Sequence, residues 1–168
     1  MGLSVKFNYI LFMDFKPVKY VALCLTHNCN LRCRYCYAGE KIKKQMTYET
    51  ARRALDFLYE ESGGDCVITF FGGEPLLEFN LIKKIINYSE SKCGEAFAFR
   101  MSTNGTLIDK VKLTYLAKHK VYFVLSIDGS KEQHDAVRHY ADNRGSYDII
   151  TGNLSNIFRI NPYTIAVS

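Results

Sequence analysis

No run in this 168-residue sequence approaches the roughly 18 consecutive apolar residues of a membrane-spanning helix, so the chain offers no candidate span. Its first residues lack the basic stretch followed by an apolar one that marks an export signal, and a cytoplasmic, reducing location is expected. With only three prolines there is no Pro/Ser-rich linker, and neither a low-complexity tract nor an internal repeat breaks the pattern. A repeat array is thereby excluded, and one domain with a sizeable core is expected. Charge of one sign is also scarce: the net +5 is spread along the chain, densest at Lys41, Lys43 and Lys44. No aromatic-interleaved basic motif accompanies it, so no nucleic-acid partner is expected.

What the chain does have is six cysteines. In a reducing compartment, close-set cysteines bind metals or do chemistry rather than form disulfides. Cys29, Cys33 and Cys36 lie within eight residues, directly after a strand-like stretch. Thiolates ligate iron–sulfur clusters, and a full set normally numbers four. Three without a matching partner point to a cubane with one iron left open. Zinc is the rival, but structural zinc sites close with four ligands, usually from a second cysteine pair. No such pair follows; His27 or His134 could supply a fourth ligand, but His27 stands too near Cys29 for the usual zinc spacings. Three buried cysteines without a metal remain the third reading. Cys24, Cys66 and Cys93 stand apart and read as small buried hydrophobes.

Strand and helix patterns alternate, which predicts βα units around a parallel sheet. Strands are expected over Lys19 to Leu25, Cys66 to Phe71, Ala96 to Ser102, Val121 to Ile127 and Tyr163 to Ser168. Between them, Thr47 caps a helix striped by Ala51, Ala54, Leu55 and Leu58 and ended at Gly63-Gly64. Leu81, Ile82, Ile85 and Ile86 stripe a second helix that stops at Gly94, Asp109 opens a third reaching about Lys118, and a fourth covers about Tyr147 to Arg159. The recognisable motifs all fall at C-terminal strand ends, the ligand-binding face of α/β barrels and open α/β sheets.

The C-x3-C-x2-C run with Tyr35 before its last cysteine resembles the signature of the radical S-adenosylmethionine (radical SAM) superfamily. Gly72-Gly73-Glu74-Pro75 resembles that family's GGEP motif. Thr103-Asn104-Gly105-Thr106, Leu125-Ser126-Ile127-Asp128-Gly129, His134 to Arg138 and Gly145 to Asp148 are most similar to its peptide- and protein-modifying members, including the anaerobic sulfatase-maturating enzymes. The resemblance implies an α/β partial barrel of the radical SAM type, with five strands present of an expected six. It implies a lead-in over residues 1–17, then a core domain over 18–168 that is incomplete at its C-terminal end and lacks the cysteine-rich extension of that subgroup.

By the same resemblance, Cys29, Cys33 and Cys36 hold a [4Fe–4S] cluster whose open iron is chelated by S-adenosylmethionine. Its reductive cleavage gives a 5′-deoxyadenosyl radical that abstracts hydrogen from a substrate, expected to be a peptide or protein side chain. The implied cofactor-binding residues are Tyr35 near adenine; Gly72, Gly73, Glu74 and Pro75, with the carboxylate facing the cofactor's amine; Thr103 and Asn104 on the rim; Ser126 and Asp128 toward the ribose or methionine end; and Arg138 toward the carboxylate. A flavodoxin or ferredoxin is the implied electron donor. A non-catalytic metal-cluster module and an inactive fragment are the competing expectations.

Overall fold

A computed structural model, in which residues 19–62, 64, 66–94, 96–161 and 164–167 are described, contains one sheet of five parallel strands. The expected lead-in over 1–17, Tyr163 at the expected start of the last strand, and the side chain of Cys93 lie outside the described residues. The strands are β1 (Tyr20–Thr26), β2 (Cys66–Gly72), β3 (Phe97–Thr103), β4 (Tyr122–Ser126) and β5 (Thr164–Val167). The helices are α1 (Tyr48–Ser62), α2 (Phe79–Cys93), α3 (Lys110–Lys118), α4 (Lys131–Val137) and α5 (Tyr147–Ile160). Spatial order equals chain order, β1-β2-β3-β4-β5. A doubly wound sheet reverses direction at a switch point; winding that never reverses is the arrangement of a barrel, here partial, with β1 and β5 as its edges. Among the described residues no helix is long and apolar enough to cross a membrane.

Alternation along the strands decides the two faces. Leu23, Leu25, Ile68, Phe70, Phe99, Met101, Phe123 and Leu125 are buried. The register sets Leu23 beside Phe70, Phe70 beside Met101 and Met101 beside Phe123, so these side chains form one continuous layer. The stripes of α1 and α2 that the sequence predicts (Leu55 and Leu58; Ile82, Ile85 and Ile86) complete that core. Fully burying each large aliphatic side chain contributes about 1.5–3 kcal/mol. The opposite face carries Cys24, Thr69, Phe71, Arg100, Ser102 and Tyr122, and is only partly covered.

Two elements go beyond the expected set. A short 3-10 turn spans Pro75–Glu78, and α4 opens on a capping box between Ser130 and Gln133. Cys66 is buried as expected, its thiol 2.7 Å from Ser62 Oγ. Cys24 departs from the expected pattern: it is half-buried on the sheet face opposite the helix-covered core.

Candidate functional site

Residues 27–47 join β1 to α1, and the cysteines lie near the start of that connection. Its base is tied down by backbone hydrogen bonds from His27 N to Lys44 O (2.9 Å) and Met46 N to Leu25 O (2.8 Å). Its middle is strapped to the end of α4 and the segment after it, with Arg34 N donating to Val137 O at 2.9 Å and Arg32 N to His139 O at 2.7 Å. Arg32 Nη1 also donates to the carbonyls of Cys29 (2.6 Å) and Leu31 (2.9 Å). A long connection without helix or strand is thus held in place along its length, as a ligand-bearing loop must be.

The end of β2 packs against this loop. A Cβ on Gly73 would sit 2.1 Å from Asn28 O, and one on Gly72 would sit 2.3 Å from Thr26 O. Gly72 also has φ +130°, a backbone conformation that favours glycine. The missing side chains therefore make room for the end of β1 and the start of the cysteine loop. Gly73 N donates to Thr26 O at 2.8 Å and Glu74 N to Asn28 O at 2.9 Å, locking the two strand ends together. Gly73→Ala should lower thermal stability by about 1–3 kcal/mol or more, because neither obstructing atom belongs to a movable side chain. Denaturant unfolding checks this; an unchanged midpoint would show that the junction is loose.

Glu74 is fully buried. One carboxylate oxygen accepts from Leu76 N (3.0 Å) and Thr103 Oγ1 (2.8 Å), and the other from Asn104 N (2.8 Å). Burial pushes its pKa up, while the donors of Asn104, Leu76 and Thr103 pull the other way. With two donors on one oxygen and one on the other, the side chain struts β2 against β3 and keeps one acceptor site uncommitted among the described residues. Pro75 is buried at the first turn of the 3-10 segment.

Thr103 and Asn104, at the end of β3, are likewise buried. Asn104 Nδ2 donates to Asn30 Oδ1 at 3.0 Å and points at Cys29 Sγ at 3.7 Å, while Leu31 N donates to the same sulfur at 3.4 Å. Cys29 is buried, whereas Cys33 and Cys36 are partly exposed. Burial pushes the Cys29 and Cys33 thiols up. Cys36 behaves oppositely: burial raises it, but the 2.7 Å hydrogen bond from Lys41 Nζ, a backbone bond at Ala38 and the Lys41 and Arg138 charges together outweigh burial, and its thiol lies below the usual range. Lys41 is a site residue that sequence reasoning missed; its position five residues on, in a basic run, looked like a solvated face.

A second group sits over the loop. Tyr35 donates its hydroxyl to Asp128, and Arg138 Nε donates to the same carboxylate at 2.8 Å. The Arg138 guanidinium lies 5.1 Å from the Tyr35 ring centre, a cation–π contact. Burial and the Asp128 bond push the Tyr35 phenol up to about 12. Asp128 is held below the usual carboxylate range because its bonds to Tyr35 and Arg138 outweigh burial. Ser126 stands at the end of β4, its hydroxyl without a hydrogen-bond partner among the described residues.

His134 supports this group from below. It is fully buried, accepts from Asp128 N at Nδ1 (3.1 Å) and meets Ser146 Oγ at Nε2 (2.9 Å); Ser146 Oγ in turn donates to Arg138 O at 2.7 Å. The order of donors makes the ring neutral with its proton on Nε2. Burial and the Arg138 charge lower its pKa. The unfolded chain therefore takes up a proton that the native ring refuses, so stability is full above the ordinary histidine value of 6.5 and falls as pH drops below it. Thermal melts of wild type should show this acid loss and His134→Gln should flatten it; parallel pH profiles would refute the assignment.

Both imidazole nitrogens of His134 being engaged, it offers no lone pair as a fourth zinc ligand. Among the described residues, no three Cys, His, Asp or Glu side chains converge on a point where they could hold one metal ion. A cubane makes no such demand, since each thiolate binds its own iron. Sulfur donors spread along one anchored loop, with N–H groups at Cys29 and an ammonium at Cys36, fit a cluster better than a single ion.

Residues 23–162 match the Radical SAM superfamily. Fe-coproporphyrin III synthase of Methanosarcina barkeri is 34% identical over 147 residues, 85% of this chain and 34% of that protein. A cysteine-type anaerobic sulfatase-maturating enzyme of Clostridium novyi is 28% identical over 82% of this chain and 39% of its own length. The solved structure of native anSMEcpe with bound AdoMet and Kp18Cys peptide matches with a TM-score of 0.71 at 25% identity, covering 88% of this chain and 42% of that one. The chain spans less than half the length of the curated relatives it matches.

Proposed function

Because this chain belongs to the radical SAM superfamily, we propose that Cys29, Cys33 and Cys36 hold a [4Fe–4S] cluster and that the strand-end rim above it binds S-adenosylmethionine. The protein would act on a peptide or protein side chain, drawing its electron from a flavodoxin- or ferredoxin-type donor. The observation that carries this reading is the meeting of four strand ends. Register places Thr26 beside Gly72 and Thr103 beside Leu125, so the cysteine loop and three further motifs share one rim.

When bound, cluster and cosubstrate supply one-electron cleavage of a sulfonium and, through it, hydrogen abstraction. The chain's own residues have narrower tasks. Lys41 favours the thiolate form of Cys36, and Asn104 and Leu31 point N–H groups at the Cys29 sulfur, the outer contacts that orient ligands and set potentials. Tyr35, held by Asp128 and Arg138, offers an aromatic face above the loop for adenine. Ser126 presents a hydroxyl with no other partner among the described residues. Arg138 commits Nε to Asp128 and leaves its other two guanidinium nitrogens for a carboxylate. Gly72 to Pro75 would shape the rim through backbone, and Glu74, whose second oxygen accepts only from Asn104 N, would face the cosubstrate's amine.

The peptide reading draws on the peptide bound to the matched structure and on the sulfatase-maturating relative. Its test is anaerobic reconstitution with iron and sulfide, then reduction in the presence of S-adenosylmethionine. Cysteine-dependent 5′-deoxyadenosine is the expected product. A protein that carries its cluster yet forms none contradicts the proposal.

A further inference from the structure

We propose that Arg100, with Thr69 and Tyr122 beside it, forms a carboxylate-binding subsite on the sheet face that none of the described helices covers, which anchors an acidic side chain of the substrate below the rim. This rests on the proposed peptide substrate and specifies its chemistry.

Arg100 lies on β3, the middle strand. In a parallel sheet such a strand is normally covered on both faces and reads as apolar. Here Ala98 and Arg100 are exposed on the face away from the helices. Register puts Thr69 on one side of Arg100 and Tyr122 on the other, in one row across β2, β3 and β4. The guanidinium rests on the Tyr122 ring, 5.7 Å from its centre, and makes no ion pair or hydrogen bond among the described residues. Among the described residues, the remaining positions of that row and its neighbours are small, apolar or hydroxyl-bearing, with no carboxylate to neutralise it.

Thr69 supplies the independent sign. It is 9% exposed, and its Oγ1 is buried with no hydrogen-bond partner. A buried hydroxyl left without a partner costs about 1–3 kcal/mol, and such groups are rare unless something else completes them. A planar guanidinium offering paired N–H donors, beside a hydroxyl that can donate, is the recognition set of a carboxylate. Thr103, at the strand end, lies three positions beyond Arg100, about 10 Å at the usual rise per residue. An acid held at that depth would leave the adjoining part of a peptide at the rim, where the chemistry is proposed to occur.

The test uses arginine-specific labelling with phenylglyoxal, read at the peptide containing Arg100 by mass spectrometry. The probes are N-acetyl-glutamate α-amide, its glutamine counterpart and inorganic phosphate. The glutamate compound should slow labelling of Arg100 but not that of the exposed Arg53, and the glutamine compound should do nothing. Thr69→Val should weaken the protection about tenfold, as expected for losing one hydrogen bond to a charged group. Equal labelling with and without the glutamate compound, equal protection by the glutamine compound or by phosphate, or undiminished protection in Thr69→Val would overturn the subsite. The readout requires neither cluster turnover nor S-adenosylmethionine, so failure of the radical reading in the 5′-deoxyadenosine assay is seen separately.

Discussion

Alanine at any one of Cys29, Cys33 or Cys36 is expected to remove the visible absorption of the reconstituted cluster and to cut 5′-deoxyadenosine formation by at least about 100-fold. The floor follows from outer-sphere partners of metal ligands, whose loss already costs about 10–100-fold. Lys41→Met supplies the internal comparison. It deletes the ammonium at the Cys36 sulfur but leaves all three thiols, so cluster content should persist while activity falls about tenfold. Alanine at Cys24 or Cys66 should leave both readouts in place, since Cys66 is enclosed near Ser62 and Cys24 lies off the loop. If loss of a loop thiol were no worse than loss of Lys41, the three would not be ligands. Iron content by chelation assay and product by chromatography separate these outcomes.

The second large effect concerns Glu74, whose importance is to the architecture of the rim. Glu74→Ala deletes the acceptor for Leu76 N, Thr103 Oγ1 and Asn104 N in one step and leaves a void. Each buried donor left alone costs about 1–3 kcal/mol, so a total of about 3–9 kcal/mol is expected, a large part of a typical domain's stability. Glu74→Gln is milder. Its one oxygen can still serve Leu76 and Thr103, but its amide then faces the N–H of Asn104, at about 1–3 kcal/mol. Asn104 also points at Cys29 Sγ, so the glutamine variant should shift the cluster's potential even where it folds. Denaturant unfolding gives the first quantity and redox titration the second. A Glu74→Ala protein as stable as wild type would show that the strut carries no load.

These contacts also mark where sequence reading stops. The alternation of strands and helices was legible because the buried layer is built from residues whose periodicity is plain, such as Ile68, Phe70, Phe99 and Met101 on the strands and Leu55 and Ile82 on the helices. Short α4 was not, since its one buried residue is His134 and a polar contact leaves no apolar stripe. The strand-end motifs could be located, yet their internal geometry could not. Nothing in Gly-Gly-Glu-Pro says whether the glycines admit a ligand or the chain's own loop, and the answer depends on Asn28, far upstream. Asp128 and Arg138 were each singled out for a ligand, but their pairing depends on how the end of α4 folds back over the cysteine loop. The contacts of Lys41 and Arg100 were not legible for a related reason: a basic residue, in a run or alone, carries no periodic signal, and only the folded chain shows what it lies against.

The most direct measurement is the electron paramagnetic resonance spectrum of the reduced, reconstituted protein before and after S-adenosylmethionine is added. A cluster held by Cys29, Cys33 and Cys36 alone has one iron free to take the cosubstrate's amine and carboxylate, and its g-values should move on addition. An unchanged spectrum at saturating cosubstrate, or a fourth iron already ligated by a side chain of this polypeptide, would contradict the account.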